Sequence, residues 1–314
     1  VEGAGHIQPA LIDAEGLHQV GVVLIHPVDP SGKVPVHPVV GREEHQVGAL
    51  PFGLPNGLRR LDLEPFGRLI FGQDDAVAGG GISADRHGIL LAKNEPAKKF
   101  GVQTAETIWQ AKKKCPELVL LPPHHKLYRQ VSKEVNTIYE QYTDLVEPFG
   151  IDESWLDVTH TLHLFGGDAK ALADHLRQRM KQEMGLTLSV GVSFNKVFAK
   201  LGSDYRKPDA TTVVSRENWQ RLVWPLPVGA LLYVGGAARK ILAQFGVKTI
   251  GELAACKRDA LETLMGKMGV QLHDYANGLD TDPVRSRYEP EMVKSVGNGT
   301  TLSLIHISEP TRLR

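Results

Sequence analysis

The stretch VEPFGIDESWLDVT, residues 146–159, sets Asp152 and Glu153 side by side between apolar residues that alternate as in a half-buried strand. Neighbouring side chains of a regular strand point to opposite faces. Both carboxylates can therefore face one site only if a turn or bulge lies at 150–153, and Gly150 permits one. A pair of carboxylates at a strand end is a common way to hold Mg²⁺, which prefers oxygen ligands. On spacing alone, an exposed acidic turn explains the same residues.

The segments on both sides of this strand predict alternating helices and strands. A helix with its N-cap at Thr104 lies upstream, an amphipathic helix at 168–184 follows with Gly185 as its C-cap, and TLSVGVS, 187–193, is a β-branched strand. The helix before the acid pair carries an apolar stripe of Leu127, Val131, Val135, Ile138 and Tyr142. Beyond residue 215 the elements are small and helical, with one helix through 259–278. We expect an α+β architecture followed by a small all-α domain.

Two lysines and a glycine pair gain a role only if the fold brings them near the acids. Lys98, in EPAKKFG, and Lys207, in DYRKPDA, could neutralise a triphosphate across a cleft, although lysines at helix ends are usually solvated. Gly235 and Gly236 open a helix whose first N–H groups favour phosphate, in a segment that resembles half of a helix-hairpin-helix. A plain helix start is the alternative. The residues expected to be buried there are Ile241, Leu242 and Phe245.

Composition narrows the class of protein. Of the 314 residues 42% are hydrophobic and 23% charged, as in ordinary globular domains, and no apolar run reaches the roughly 18 residues of a membrane span. Cys115 and Cys256 form no metal-ligand spacing and indicate the reduced thiols of a cytoplasmic protein. The net charge of zero divides into −5 for residues 1–84 and +5 for the remainder, which permits a polyanionic partner.

Residues 1–85 differ in kind from the rest of the chain. Their first 84 residues contain no Met, Cys, Trp or Tyr and show little helical or strand periodicity. Paired in reverse order with the residues that follow, many could be reverse complements of their partners. Pro55, for example, opposes Trp109, whose single codon reads as proline on the opposite strand. We therefore predict that 1–85 is a non-native antisense segment outside the fold, and that LSLIHISEPTRLR, 302–314, is a translated sequencing-adapter tail.

Six motifs, in this order, resemble those of Y-family DNA polymerases, the bacterial translesion enzymes above all. They are HGILLAKNEPAKKFGV, VEPFGIDESWLDVT, GVSFNKVFAKLGSD, RKPD, the segment VGGAARKILAQFG, and KSVGNGTT. The resemblance covers about residues 86–301. It implies a polymerase palm with a fingers segment and an all-α thumb, divided as fingers 86–125, partial palm 126–215, thumb with a helix-hairpin-helix 216–288, and a linker 289–301 to a little-finger domain that we expect to be absent.

The resemblance implies a DNA-directed DNA polymerase that transfers a nucleotide from dNTP to a primer 3′-hydroxyl and releases pyrophosphate. Two Mg²⁺ ions are its implied cofactors. The residues carried over are Asp152 and Glu153 for metal and catalysis, Lys98 and Lys207 for the nucleotide, and Gly235 and Gly236 for DNA. Glu95 departs from the family pattern, because many members carry a triphosphate-binding Tyr there.

One metal ligand of the family has no match in this sequence. The first metal-binding Asp and its sugar-selecting aromatic neighbour lie, in the family, on a strand upstream of residue 86. We expect that strand to be missing here, since antisense sequence stands in its place. The polypeptide as written is then expected to be inactive.

The expected partners are primer–template DNA, dNTP and, in an intact homologue, the sliding clamp, with no membrane and a cytoplasmic location. A non-catalytic DNA-binding module that uses only the helix-hairpin-helix is the alternative from another class. Metal-dependent primer extension by an intact homologue separates the two. A structural protein with an incidental acid pair would have no DNA affinity.

Overall fold

The computed structural model describes residues 19–25, 76–80 and 88–289, together with Ser295 and Gly297. The strands of this part are β1 Gln19–Ile25, β2 Val77–Gly80, β3 Leu90–Lys93, β4 Val119–Leu121, β5 Val146–Pro148, β6 Glu153–Asp157, β7 Thr187–Ser193 and β8 Thr211–Val214. The helices are α1 Glu95–Lys99, α2 Ile108–Lys114, α3 His125–Tyr139, α4 Ala169–Met184, α5 Lys196–Tyr205, α6 Trp219–Val223, α7 Gly236–Gln244, α8 Ile250–Ala255, α9 Arg258–Met265 and α10 Lys267–Ala276. Short 3-10 turns lie at Leu162–Phe165 and Val228–Ala230.

The larger sheet has the order β5-β6-β1-β7-β8, with β5 and β6 as an antiparallel hairpin and the other neighbours parallel. Its two faces are covered differently. Alternate residues of β7, Leu188, Val190 and Val192, belong to the apolar core that α3 and α4 complete. Gly191, between them in the strand, faces α5 instead. Helices therefore cover both faces, as a largely parallel sheet requires.

The strand β1 corrects the prediction that residues 1–85 take no part in the fold. Gln19–Ile25 lies at the centre of the sheet and pairs in parallel with β6, Gly21 opposite Glu153, and with β7. The run QVGVVLI is largely apolar and β-branched, which favours a central strand even if the segment arose by antisense translation. Without it, β6 and β7 would each present an unpaired edge inside the sheet. The expectation that a strand is missing here is therefore wrong, because β1 is present in the sheet, although it contains no carboxylate. Most of the remaining residues 1–85 lie outside the described residues.

The smaller sheet, of order β3-β2-β4, packs with α1 and α2 around a core of its own. Ala76 and Ala78 are buried in its core, so the boundary predicted at residue 85 is wrong at this end. The N-cap of α2 is Thr107, not Thr104 as predicted, because Thr107 and Gln110 form a capping box. The Thr104 hydroxyl instead accepts a hydrogen bond from Lys93.

The C-terminal helices form a second core with one face of α5. Val197, Phe198 and Leu201 of α5 pack in a cluster with apolar residues from Val223 to Ala276. The helix predicted through 259–278 is two helices, since Gly266 has a φ of +61° and ends α9 before α10 begins. In the described helices no segment is long and apolar enough to cross a membrane.

The expectation of three buried residues in α7 and its C-cap holds only in part. Leu242 is fully buried and Ile241 is half-buried. Phe245 is 64% exposed, so its predicted burial is wrong. It is the C-cap residue of α7, one position beyond the last helical residue.

The close packing of α5 against β7 depends on Gly191, which has no side chain. A Cβ on Gly191 would lie 1.8 Å from the Ala199 carbonyl oxygen and 2.5 Å from the Ser203 nitrogen, both backbone atoms of α5. Gly202 faces it, and a Cβ there would lie 3.1 Å from the Gly191 Cα. Only glycine lets the helix backbone approach the strand so closely. This contact fixes the height of α5 above β7.

We predict that Gly191→Ala lowers the free energy of unfolding by more than about 3 kcal/mol, because the methyl group would overlap a helix backbone that cannot yield locally. Urea denaturation measures the change. Gly79→Ala is the matched control, since a Cβ at Gly79 meets nothing within 4 Å, and it should stay within about 1 kcal/mol of the wild type. Equal effects of the two substitutions would contradict the close approach.

Candidate active site

The acid pair lies at the tip of the β5–β6 hairpin. The chain turns at 149–152, and the N–H groups of Phe149 and Gly150 both donate to the Glu153 carbonyl, at 2.8 and 3.2 Å. Asp152 is the last residue of the turn and Glu153 the first of β6. The expected turn at 150–153 is thus present. Both side chains are half-buried, not the exposed acidic turn of the alternative.

Buried polar contacts hold the strand that follows the pair. The Ser154 hydroxyl donates to Asn136 Oδ1 of α3 at 2.8 Å, and both residues are buried. On the other face, Trp155 Nε1 donates to the Lys196 carbonyl at 3.2 Å. Because buried polar groups are costly to leave unpaired, these contacts restrict sliding of β6. The carboxylates at its start are fixed accordingly.

A lysine that the sequence analysis did not single out reaches the pair from α5. Lys200 Nζ donates to Glu153 Oε1 at 2.8 Å and to Asp204 Oδ2 at 2.7 Å. Lys207 Nζ lies 2.7 Å from Asp204 Oδ1. Carboxylates and ammonium groups therefore alternate from Glu153 through Lys200 and Asp204 to Lys207. The Lys200–Asp204 spacing is visible in KLGSD, but it predicts only a surface pair on a helix.

The charges of this network shift its pKa values. Burial and the neighbouring Glu153 carboxylate raise the pKa of Asp152. Burial opposes the charged form of Lys200, yet its bonds to Asp204 and Glu153 raise its pKa overall. Burial also acts against ionised Asp204, but hydrogen bonds from Lys200 and Lys207 lower its pKa. Asp152 thus lies in an environment that disfavours its charge, whereas Lys200 and Asp204 are held ionised.

Another carboxylate of the hairpin, Glu147, forms hydrogen bonds and an ion pair within the fold. Its Oε2 accepts from Lys196 Nζ at 2.6 Å and from the Arg285 backbone N–H at 2.8 Å. These contacts tie the segment after α10 to the hairpin, beside the apolar cluster of Trp155, Ala199 and Val284. Glu147 is therefore a structural acid.

An open cleft of about 430 Å³ joins this network to the C-terminal helices. One wall consists of Lys200 and Asp204, and the other of residues 230–235, which end on Gly235. Gly235 is the N-cap of α7 and Gly236 its first residue. A Cβ on either glycine meets nothing within 4 Å, and neither has a positive φ. Packing and backbone conformation thus leave the choice of glycine there unexplained.

The remaining predicted nucleotide-binding residue, Lys98, lies on α1. Lys98 is exposed in the last turn of α1. The structure brings Lys207 to the acid pair through Asp204 and Lys200, and it describes no contact between Lys98 and the pair. Glu95 begins α1, and its side chain lies outside the described part of the chain.

The residues present do not complete a metal centre. Within the described ranges no group of three or more His, Cys, Asp or Glu side chains could hold a metal ion. The strand next to Glu153 is β1, whose sequence QVGVVLI contains no carboxylate and places Gly21 opposite Glu153. One oxygen of Glu153 is already bonded to Lys200. At the hairpin tip the described residues therefore provide two carboxylates, Asp152 and Glu153, and Glu153 already forms an ion pair with Lys200.

Comparison with known proteins finds similarity along much of the chain. Residues 68–204 match the model of the impB/mucB/samB family. A DNA polymerase IV of Acetivibrio thermocellus is 51% identical over 229 residues, which are 73% of this chain and 57% of that protein. The chain thus spans little more than half the length of this relative. The family match begins at residue 68, inside the segment predicted to be non-native.

Two solved structures share the fold. DinB from Sulfolobus solfataricus superposes with a TM-score of 0.61 over 68% of this chain and 62% of that one, at 24% identity. A Dbh DNA polymerase in an insertion ternary complex gives 0.60 over 67% and 62%, also at 24% identity. At this identity the likeness concerns the fold, a mixed α+β arrangement similar to the palm and fingers of these polymerases.

We predict that Asp152→Asn and Asp204→Asn change stability in opposite directions. The raised pKa of Asp152 means that its charge opposes folding above its ordinary value of 3.8. The Asp152→Asn substitution should therefore raise the melting temperature at pH 7, and the gain should vanish as pH falls below that value. Asp204 has a lowered pKa, so its charge supports folding, and its loss should cost about 1 kcal/mol at pH 7, discounted for solvent exposure.

Differential scanning calorimetry between pH 3 and 7 measures both variants. The cost of Asp204→Asn should shrink as pH falls through the folded-state pKa of Asp204, because the wild-type carboxyl then protonates. A loss of stability in Asp152→Asn at pH 7 would show that the Asp152 charge is stabilised, in conflict with the described environment.

Proposed function

We propose that this chain, whose residues 68–204 match the model of the impB/mucB/samB family, is part of a translesion DNA polymerase, with its fingers, palm and thumb in residues 76–288. The reaction is template-directed transfer of a nucleotide from dNTP to a primer 3′-hydroxyl with release of pyrophosphate. The DNA polymerase IV relatives, identical at up to 51%, support this class of reaction. Because the chain spans 57% of that relative, the activity of the whole enzyme is inferred, not observed.

One observation carries the proposal. Lys200 and Asp204 line one cleft together with the segment that ends on Gly235, at the start of α7. The same two residues connect that cleft to the acid pair through Glu153 and to Lys207. A nucleotidyl-transfer site needs those parts, because its catalysis is mainly positioning and charge stabilisation. The sequence separates Glu153, Lys200 and Gly235 by tens of residues, so the fold brings Lys200 both to Glu153 and to the cleft beside Gly235.

The chain's own residues support binding and orientation. Lys207, and Lys98 on the fingers, supply positive charge for the triphosphate. The α7 start, with N–H groups that have no intrahelical acceptor, suits a DNA phosphate in the cleft, in the manner of a helix-hairpin-helix. Divalent cations bound by the carboxylates would supply charge stabilisation in a complete enzyme. Since the described residues do not complete that site, this chain is proposed to hold substrates without transferring nucleotide.

We predict that purified 1–314 incorporates no dNTP above a no-enzyme control in a primer-extension assay. A hybrid with residues 86–288 grafted into the Acetivibrio thermocellus relative should extend the primer, because the host then supplies its own sequence outside that range, including the strand that pairs with β6. In the hybrid, Asp152→Ala and Glu153→Ala should each lower the rate by more than about tenfold, or about 1.4 kcal/mol of barrier, with DNA affinity nearly unchanged.

The matched control in the hybrid is Glu147→Gln, which alters a hairpin carboxylate outside the cleft and should leave the rate within about threefold, or roughly 0.7 kcal/mol. Incorporation by 1–314 itself would refute the inactivity. Retained turnover in Glu153→Ala would show that the pair is misassigned.

We predict that Gly236→Val in the hybrid weakens binding to two unrelated duplexes by a similar factor, on the order of tenfold or 1.4 kcal/mol. A valine there blocks close approach of a phosphate to the α7 backbone, and phosphate contacts carry no sequence information. Folding should survive, since a Cβ on Gly236 meets nothing within 4 Å. Fluorescence anisotropy at one fixed salt concentration measures the affinities.

The control is Ala243→Val, an exposed position in the last turn of the same helix. It should leave both affinities unchanged. Unchanged affinity in Gly236→Val would remove the α7 start from the DNA surface, and a loss for one duplex alone would indicate base reading. A non-catalytic DNA-binding module, the other candidate function, requires DNA binding by this hairpin with no extension by the hybrid.

A further inference from the structure

The Lys200 ammonium group of α5 is paired directly with the Glu153 carboxylate. The ammonium nitrogen lies 2.8 Å from Glu153 Oε1, and the two side chains are only 14% and 19% exposed. A contact so shielded is weakly screened by solvent ions. The interaction is therefore a built part of the site, unlike a surface ion pair.

The fold leaves Lys200 little freedom to move away. Its helix is fixed against β7 through Gly191, where a Cβ would overlap the Ala199 carbonyl. The same ammonium group donates to Asp204, one turn further along α5, at 2.7 Å. Lys200 thus bridges two carboxylates, and its charge is held in place from both sides.

The cluster is nearly neutral without any bound cation. Three carboxylates, Asp152, Glu153 and Asp204, face the two ammonium groups of Lys200 and Lys207. A divalent ion on Glu153 would lie beside the Lys200 charge and be repelled by it. The neighbouring strand offers Gly21, not a third carboxylate, to hold such an ion.

We propose that in this chain, where the strand paired with β6 contains no carboxylate, Lys200 and not a divalent cation is the counter-ion of Glu153, and that with this strand in place the Asp152–Glu153 pair accepts a divalent cation only when Lys200 is removed. This inference rests on the proposed function, because it concerns the carboxylates assigned to that site. It deepens that function by explaining how a polymerase palm with an incomplete ligand set keeps buried carboxylates compensated. Removing one partner of such a pair leaves the other charge uncompensated.

Manganese binding to the purified chain tests the proposal without any assay of activity. Mn²⁺ is the probe, and the free-ion signal in electron paramagnetic resonance is measured as protein is added. The wild type should bind no Mn²⁺ that depends on Glu153. Lys200→Met should gain one Mn²⁺ site, with an affinity at least about tenfold higher than that of any residual Mn²⁺ binding by the wild type. The double variant Lys200→Met with Glu153→Gln should lose that site.

Two controls separate charge from position. Lys207→Met removes a positive charge from the same cluster but no contact to Glu153, so it should gain no Mn²⁺ site. Lys200→Arg keeps a cation near Glu153 and should resemble the wild type. If Lys200→Met does not fold, as judged by circular dichroism, Lys200→Gln takes its place, because it retains a polar group for Asp204.

A wild-type Mn²⁺ site that Glu153→Gln abolishes would overturn the proposal, and so would a folded Lys200→Met or Lys200→Gln variant without any gain. Neither result bears on the proposed function, which the hybrid's primer extension tests by itself. Conversely, a hybrid that fails to extend primers would refute the proposed function while leaving the Mn²⁺ result interpretable.

Discussion

The site depends on the close packing of α5 against β7. Because Gly191 has no side chain, the helix backbone lies directly on the strand, and a Cβ there would come within 1.8 Å of the Ala199 carbonyl. Lys200 follows Ala199, so this contact sets the distance from its ammonium group to Glu153 on the hairpin. The other face of α5 joins the core of the C-terminal helices. One helix thus contacts the acid pair, the cleft and the C-terminal helices.

Much of this site could be predicted from local sequence. Glycine before two acids in an alternating strand predicted the hairpin turn, because turn chemistry is decided within four residues. Lys200 could not be predicted in the same way, since its partner Glu153 lies 47 residues upstream and only the packing at Gly191 brings them together. The break at Gly266 was missed because the apolar pattern continues across it. Conformation, not periodicity, ends α9 there.

The upstream segment shows a different limit of sequence reasoning. The reverse-complement pattern concerns how a reading frame arose, whereas strand pairing depends only on the residues that result. QVGVVLI is apolar and β-branched and fills the central position of the sheet, yet it brings no carboxylate to Glu153. The structure therefore has a mixed α+β fold similar to that of a polymerase palm and fingers, in which the described residues bring two neighbouring carboxylates to the hairpin tip. The half-buried Lys200 compensates the charge of one of them, Glu153.

The most direct test is a crystal structure of the chain grown with millimolar MnCl₂, measured at a wavelength where manganese scatters anomalously. The account predicts no anomalous peak between Asp152 and Glu153, with Lys200 Nζ within hydrogen-bonding distance of the Glu153 carboxylate. An anomalous peak bridging the two carboxylates, with Lys200 turned away toward Asp204 alone, would contradict it.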